Sequence, residues 1–221
     1  MFSVRMRKLL LRATKVLLVT LPLSGCIWIP PPKVETTTPL SKSPRIVYDG
    51  LFVHALVDST GTDPNPKLCR MIMAETIKKI ALAHTFQYIA VEDTSVLAAA
   101  TVREVPRDAL ISPDSLPHIA RNIAECTITL REYDKGDSVN RFLVGLLYGG
   151  GAVGLDMQLV DRRYGHVIVA GKARKTIQGM YASEYDVAKP LADAVALFFH
   201  LQLRQLVNQA VQRLGERESG D

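Results

Sequence analysis

The stretch Ala124-Glu-Cys-Thr-Ile-Thr-Leu-Arg-Glu-Tyr133 alternates between apolar and polar residues over most of its length. Such alternation is typical of a β-strand with one buried side, because successive side chains point to opposite faces of a sheet. A sheet built around this strand therefore needs other elements to cover one of its faces. The apolar side carries Cys126, Ile128 and Leu130, and the polar side carries Glu125, Thr127, Thr129 and Arg131.

Patterns on both sides of this strand predict the rest of a single domain over residues 45–215. Residues 45–58 are apolar on both alternations, which favours a strand buried on both faces with Gly50 as a candidate bulge. Further strands are predicted at 86–91, 155–160 and 167–176, the last two joined by a hairpin loop at 161–165. Short helices are expected near 93–101 and 116–123. The predicted fold class is α/β (α+β), with a mixed or antiparallel sheet of about five strands packed by two main helices.

The two main helices are predicted at 66–84 and from residue 184 or 186 to about 214. Asn65 is a good N-cap, and Pro66 suits the first helical position. Glu75 and Lys79 have the spacing of a helix-surface ion pair. Apolar residues at steps of three and four predict the buried sides: Cys69, Ile72, Met73, Thr76, Ile80 and Ala83 in the first helix, and Leu191, Val195, Phe198, Leu201, Leu206, Ala210 and Leu214 in the second.

The first 25 residues predict a cleaved secretory signal. Five basic residues and no acidic ones precede the apolar run at 16–23, which is too short for a bilayer core that needs about 20 apolar residues. The run closes on Leu23-Ser24-Gly25-Cys26, which resembles the lipobox of bacterial lipoproteins. The resemblance implies cleavage before Cys26, a diacylglyceryl thioether on its sulfur, and hence the membrane as a partner. Since Ile27 and not aspartate follows, it also implies the outer membrane, with the domain facing the periplasm.

Residues 26–44 are predicted to be the lipidated cysteine and a tether. Five prolines and a run of threonines favour an extended, polyproline-like segment. Ile27, Trp28 and Ile29 are expected to rest against the bilayer, since Trp favours the membrane–water interface; a strand at the edge of the domain is the alternative. Residues 216–221 are predicted to be a charged tail.

Removal of the signal changes the charge balance of the chain. The full sequence has 27 basic and 22 acidic residues, and five of the basic ones lie in the signal. The mature chain is therefore formally neutral. Because binding to a phosphate backbone needs an excess of Lys and Arg, nucleic acid is not an expected partner.

Two cysteines, Cys69 and Cys126, remain in the domain besides Cys26. Both are predicted to face the core, one from a helix and one from a strand. A disulfide is permitted in an exported protein, and a helix packed on the sheet could bring the two together. Free cysteine is also among the most buried residue types, so two separate thiols are the alternative.

A glycine-rich segment contains Gly145, Gly149, Gly150, Gly151 and Gly154. A phosphate cradle is not favoured, because a P-loop needs Lys followed by Ser or Thr after its last glycine, and a dinucleotide site needs a helix there. A membrane-touching hairpin that lines an oligomeric pore is one hypothesis. Close backbone packing or a bulge at a sheet edge is the other.

Catalytic, metal and cofactor sites are not predicted. The five histidines fall in separate elements without metal-ligand spacing. His54 and His200 lie in apolar surroundings and are interpreted as core residues. No serine has a nucleophile-elbow context, so no enzymatic activity is expected.

Residues 119–168 resemble a group of small bacterial lipoproteins of unknown function. The resemblance rests on the end of a short helix, the strand at 124–133, a turn glycine, Arg141, the glycine run and the loop from Asp161 to Gly165. The folds of that group are thought similar to the amino-terminal domain of TolB and to the curli secretion lipoprotein CsgG. The resemblance implies an α/β domain that works with envelope or secretion proteins, and it brings no catalytic residues.

The expected function is that of a tethered, non-enzymatic binding or assembly module of the cell envelope. One alternative is a subunit of an oligomeric CsgG-like export channel, based on the glycine-rich segment. A small-ligand carrier is the other, and it predicts a closed apolar pocket between helix and sheet.

Overall fold

One mixed sheet organises the domain in the computed structural model, which describes residues 31–38, 47–61, 65–98, 104–134, 151–177 and 184–218. Its strands run in the order β1-β7-β6-β5-β2-β4, and β3 pairs with β5 beside β2. The helices are α1, α2 and α3, with a short 3₁₀ helix before α2. The bounds are β1 Lys33–Thr38, β2 Gly50–Val53, β3 Val57–Asp58, α1 Pro66–Leu82, β4 Tyr88–Val91, the 3₁₀ helix Thr94–Ala98, α2 Leu116–Ile119, β5 Ile123–Asp134, β6 Gly151–Asp161, β7 Val167–Ile177 and α3 Glu184–Glu218.

The predicted α/β class and the mixed sheet are confirmed, but the described sheet has seven strands and not five. Strand β5 joins its two halves. It pairs parallel with β2 and β3 and antiparallel with β6, and β6, β7 and β1 continue antiparallel. The parallel pair β2 and β4 is connected through α1, as a parallel connection requires a crossover.

The alternation in β5 positions the main core. Ala124, Cys126, Ile128 and Leu130 are completely buried, and they share one cluster with the apolar sides of α1 and α3. The other face of the sheet is divided. Over β2 and β4 it is covered by α2, where Leu116 and Ala120 form a small second cluster. Over β5, β6 and β7 it carries mainly polar side chains.

The strand predicted at 45–58 is two short strands, β2 and β3. Between them the backbone leaves the ladder, and the amide of Ala55 donates to Glu92 at 2.8 Å. Gly50 is not a bulge, because it pairs in register with Tyr88 and Ile123. A Cβ there would lie 2.7 Å from the Cβ of Ala120. Glycine at this position therefore allows α2 to approach the sheet.

Residues 33–38 do not belong to a free tether, contrary to the prediction. They form β1, which pairs antiparallel with β7 from Lys33 opposite Arg174 to Thr38 opposite Ala170. The prolines that indicated polyproline structure flank this strand and do not interrupt it, while valine and three threonines within it favour β-structure. Of the predicted tether at 26–44, residues 33–38 therefore belong to the sheet.

The N-cap of α1 is confirmed: the Asn65 side chain accepts from the Leu68 amide at 3.0 Å and donates to the Tyr133 hydroxyl at 2.8 Å. The predicted surface pair is wrong, since Glu75 is buried and Lys79 pairs with Asp193 of α3 at 2.8 Å. Helix α3 packs on α1 and therefore supplies the partner of Lys79.

Among the predicted buried residues of the two helices whose side chains the structure describes, two are exposed. Ala83 is exposed at the end of α1, and Leu201 is exposed on α3, where Phe199 and Leu203 are buried instead. Helix α3 continues to Glu218, so the predicted tail begins inside it. Within the described residues, none of the helices combines the length and apolar character needed to cross a membrane.

Candidate functional site

An apolar groove runs along one edge of the domain, between β1 and α3. It has a volume of about 760 Å³, within the roughly 300–1,000 Å³ of small-molecule sites. We call it the anchor-proximal groove, since its first wall begins at Pro31, five residues after Cys26, the predicted site of lipidation. Most of its lining is apolar: Pro31, Pro32, Val34, Pro190, Ala194, Leu197, Phe198 and Leu201.

The pairing of β1 with β7 positions the first wall of the groove. Val34 lies opposite Ala173, and directly opposite residues of an antiparallel pair share a face. Val34 therefore lies on the helix-facing side of the sheet edge, beside α3. Gly171 makes this arrangement fit, because a Cβ there would lie 2.8 Å from both the Glu35 carbonyl oxygen and the Phe198 ring.

Charged groups also line the groove. Lys175 is 2% exposed, and burial lowers the pKa of its ammonium below the ordinary lysine value. Asp193 is paired with Lys79, so its charge is compensated within the domain. Asp186 and Lys189 are exposed on the first turns of α3.

A second candidate surface is the polar side of β5, β6 and β7, called here the polar sheet face. Arg131 lies 2.9 Å from Asp156, and Arg174 makes two 2.8 Å hydrogen bonds to Glu132. The bond from Arg174, together with its charge, lowers the pKa of Glu132. Pairs this exposed contribute little to stability, and the face is open to solvent along these side chains. A shallow pocket on it includes Thr37, Thr127, Thr129, Gln158, Ala170 and Lys172.

The structure places the two histidines interpreted as core residues at the surface of the sheet and of α3. His54 is 34% exposed, with ring nitrogens 3.4 Å from Glu92 and 3.5 Å from Glu125. His200 is half-buried and shares a 2.9 Å hydrogen bond with Thr85. The apolar neighbours in sequence misled the interpretation, because in β2 and in α3 adjacent residues point to different sides.

Tyr48 and Asp161 form a buried pair that sequence reasoning missed. The Tyr48 hydroxyl donates to Asp161 at 2.7 Å, and the amides of Arg163 and Tyr164 donate to the same carboxylate at 2.8 and 2.9 Å. Burial opposes ionisation of Asp161, but these hydrogen bonds outweigh it and lower its pKa. Asp161 begins the predicted hairpin loop and thus also fixes Tyr48, which lies two residues before β2. The pair is 113 residues apart in sequence, so no local signal marks it.

Only some of the predicted site residues fall within the described chain. Cys26, Gly145, Gly149 and Gly150 lie outside it. Gly151 and Gly154 are buried in β6. Gly154 pairs with Glu132 of β5 and with Arg174 of β7, and Gly151 pairs with Ile177 of β7. A Cβ on Gly154 would lie 3.1 Å from the Cβ of Glu132, which is a close cross-strand contact. Among the described residues, no three His, Cys, Asp or Glu side chains are grouped so that they could hold a metal ion.

The two cysteines are present as separate buried thiols, and the candidate disulfide is not formed. Both belong to the main core. Burial, with a smaller effect from the charge of Asp58, raises the pKa of Cys69 to about 11. Burial alone raises the pKa of Cys126 to about 12.

We expect both thiols to resist alkylation in the folded protein, because the reactive thiolate is scarce at neutral pH and buried. After unfolding without reductant, both should be alkylated, as measured by the mass added to the intact chain. The same sample treated with reductant before alkylation is the control. A gain in alkylation that appears only after reduction would contradict separate thiols.

Comparisons with known proteins find solved structures of low similarity to this chain. No protein-family model and no curated protein matches the sequence. The PelC dodecamer from Paraburkholderia phytofirmans is 17% identical, with a TM-score of 0.45 over 74% of this chain and 94% of that one. Lipoprotein GNA1162 from Neisseria meningitidis is 17% identical, with a TM-score of 0.36 over 72% and 98%. A DUF330 protein from Xanthomonas campestris is 11% identical, with a TM-score of 0.40 over 83% and 94%. The neighbours thus include a bacterial lipoprotein, but similarities this distant assign no function, and the likeness to TolB and CsgG stays a prediction.

Proposed function

We propose that this chain is a lipoprotein of the bacterial envelope whose domain serves as a non-enzymatic binding or assembly module. The observation that carries the proposal is the position of β1. Lys33, the first residue of β1, lies seven residues after Cys26 and is already part of the sheet. A lipid on Cys26 would therefore hold a folded surface close to the membrane. The outer membrane, with the domain in the periplasm, is the proposed location.

The polar sheet face is the surface that we assign to a protein partner. Its ion pairs are exposed, and its threonine, glutamine and lysine side chains offer donors and acceptors in a regular array. Because the membrane anchor would restrict diffusion, even a modest affinity for an envelope or secretion protein would suffice.

Replacing Cys26 with serine should abolish lipid attachment, because the thioether needs the cysteine sulfur. The Cys26→Ser protein should take up no clickable fatty acid and should leave the membrane pellet or remain unprocessed. Ser24→Ala, which keeps a small residue before the cleavage site, is the matched control and should be labelled normally. Fatty-acid label on the Cys26→Ser protein would refute the anchor.

A photo-reactive amino acid at Thr129, on the polar sheet face, should capture envelope proteins in intact cells. The matched control is the same group at Arg163, an exposed residue of the hairpin at the end of the sheet. We expect discrete adducts from position 129 and far fewer from position 163. Equal adduct patterns from both positions would argue against a binding role for the polar sheet face.

The two alternative functions receive less support from the described geometry. An export channel would need a membrane-touching hairpin around residues 142–155. Residues 142–150 lie outside the described chain, while Gly151 and Gly154 are buried in β6. A strict monomer in native mass spectrometry of the detergent-extracted protein would exclude the channel. A small-ligand carrier predicts a closed pocket, whereas the anchor-proximal groove lies open at the sheet edge.

A further inference from the structure

The anchor-proximal groove exposes large apolar side chains next to the site of membrane attachment. Leu197, Leu201 and Val34 are 57%, 46% and 38% exposed, and all three line the groove. Contiguous exposed apolar surface usually marks an interaction site. The exposed apolar side chains of this groove therefore indicate that another surface covers them.

The length of chain before the groove limits the distance to the membrane. Pro31, on the groove wall, is five residues from Cys26. Five extended residues span at most about 18 Å. If acyl chains on Cys26 enter a bilayer, the surface of that bilayer lies within this distance of the groove wall. This step rests on the proposed lipidation.

The groove also has a long wall along α3. Its α3 wall extends from Asp186 to Leu201, which corresponds to about 22 Å at 1.5 Å per residue. The Lys79 partner of Asp193 removes one uncompensated charge from this side, which lowers the cost of bringing it against lipid.

We propose that the anchor-proximal groove faces the membrane and that α3 lies on the lipid surface, with acyl chains of the anchoring leaflet in contact with Leu197 and Leu201. Apolar side chains at a membrane surface are buried in this way, at the boundary between headgroups and acyl chains. The edge strand β1 is then sheltered by lipid. The opposite edge, β4 with α2, points away from the membrane, and the polar sheet face stays accessible to partners.

The proposal is tested with the mature, lipidated chain in phospholipid vesicles, carrying one introduced cysteine labelled with an environment-sensitive fluorophore. Leu201→Cys reports on the groove. Ile119→Cys, on α2 at the other edge of the sheet, is the matched control, because both side chains are 46% exposed in the native protein. Cys69 and Cys126 are buried thiols and Cys26 would be a thioether, so labelling is directed to the new cysteine. Leu197→Cys is a second groove position should Leu201→Cys fold poorly.

We expect the groove label to shift to the blue and to be quenched several-fold more than the control by lipids with spin-labelled acyl chains. Equal, water-like spectra at both positions would overturn the proposal. A blue-shifted groove label that spin-labelled lipid does not quench would also overturn it, since another copy of the chain or another protein would then cover the groove. Co-flotation with the vesicles is measured on the same sample. Loss of flotation counts against the lipid anchor itself, whereas flotation with a water-exposed groove counts against this orientation alone.

Discussion

Replacing Asp161 with alanine should lower the free energy of unfolding by about 3 kcal/mol, because hydrogen bonds to a charged group contribute roughly 1.5–3 kcal/mol and a buried donor is left without its acceptor. The donor is the Tyr48 hydroxyl, which is buried together with the carboxylate. The amides of Arg163 and Tyr164 also lose their acceptor, so the hairpin turn is weakened as well. The measurement is chemical denaturation at neutral pH.

Two further variants separate the contributions to this site. Tyr48→Phe removes only the 2.7 Å bond and should cost about 1.5 kcal/mol. The double variant should lose less than the sum of the single variants, since the two residues share one interaction. Additivity to within about 0.5 kcal/mol would show that Tyr48 and Asp161 are not coupled.

The effect of Asp161 should depend on pH. Its pKa is lower in the folded protein than in the unfolded chain, where an aspartate titrates near about 3.9. The carboxylate therefore stabilises the fold fully above that value, and the stabilisation is lost as the pH falls through the lower, folded pKa. Asp161→Asn should show a shallower loss of stability in acid than the native protein. Parallel stability curves between neutral and acidic pH would contradict this prediction.

Replacing Gly171 with valine should displace β1 from the sheet. A Cβ at this position would lie 2.8 Å from the Glu35 carbonyl oxygen, which is backbone of β1, and 2.8 Å from the Phe198 ring. A rotamer change cannot relieve both close contacts. Overpacking of this kind typically lowers stability by about 1–3 kcal/mol. We expect faster proteolytic release of the domain from membranes, through cleavage between the anchor and β2, along with lower thermal stability.

The matched control for this variant is Ala170→Val. Ala170 is the neighbouring residue of β7, but it lies in the shallow pocket on the polar sheet face, away from α3. Valine there adds a β-branched side chain to a strand, which is usually well tolerated. If both variants release the domain at the rate of the native protein, β1 does not hold the chain between anchor and domain.

The pairing of residues 33–38 with β7 could not be predicted from composition. The prolines at 30–32 and 39 indicated a tether, yet the six residues Lys33–Thr38 between them pair with β7, which is more than 130 residues away in sequence. A polar, threonine-rich edge strand cannot be distinguished from a linker by its sequence, because only its pairing partner shows that it belongs to the sheet. The exposed position of Leu201 could not be predicted for a similar reason. Helical spacing identifies the residues on one side of a helix, but it does not show where the neighbouring sheet ends.

By itself the sequence determined the strand at 124–133, the hairpin that follows it, the N-cap at Asn65 and the existence of the two long helices. These features depend on periodicity, capping and turn residues, which act over a few neighbouring positions. It also predicts the lipid anchor at Cys26. Only the tertiary structure decided that β1 joins the sheet, that Tyr48 meets Asp161, that Lys79 pairs with Asp193, and that an open apolar groove lies between β1 and α3. Each of these depends on strand order and helix placement, which bring together residues that are distant in the chain and carry no local mark of their partners.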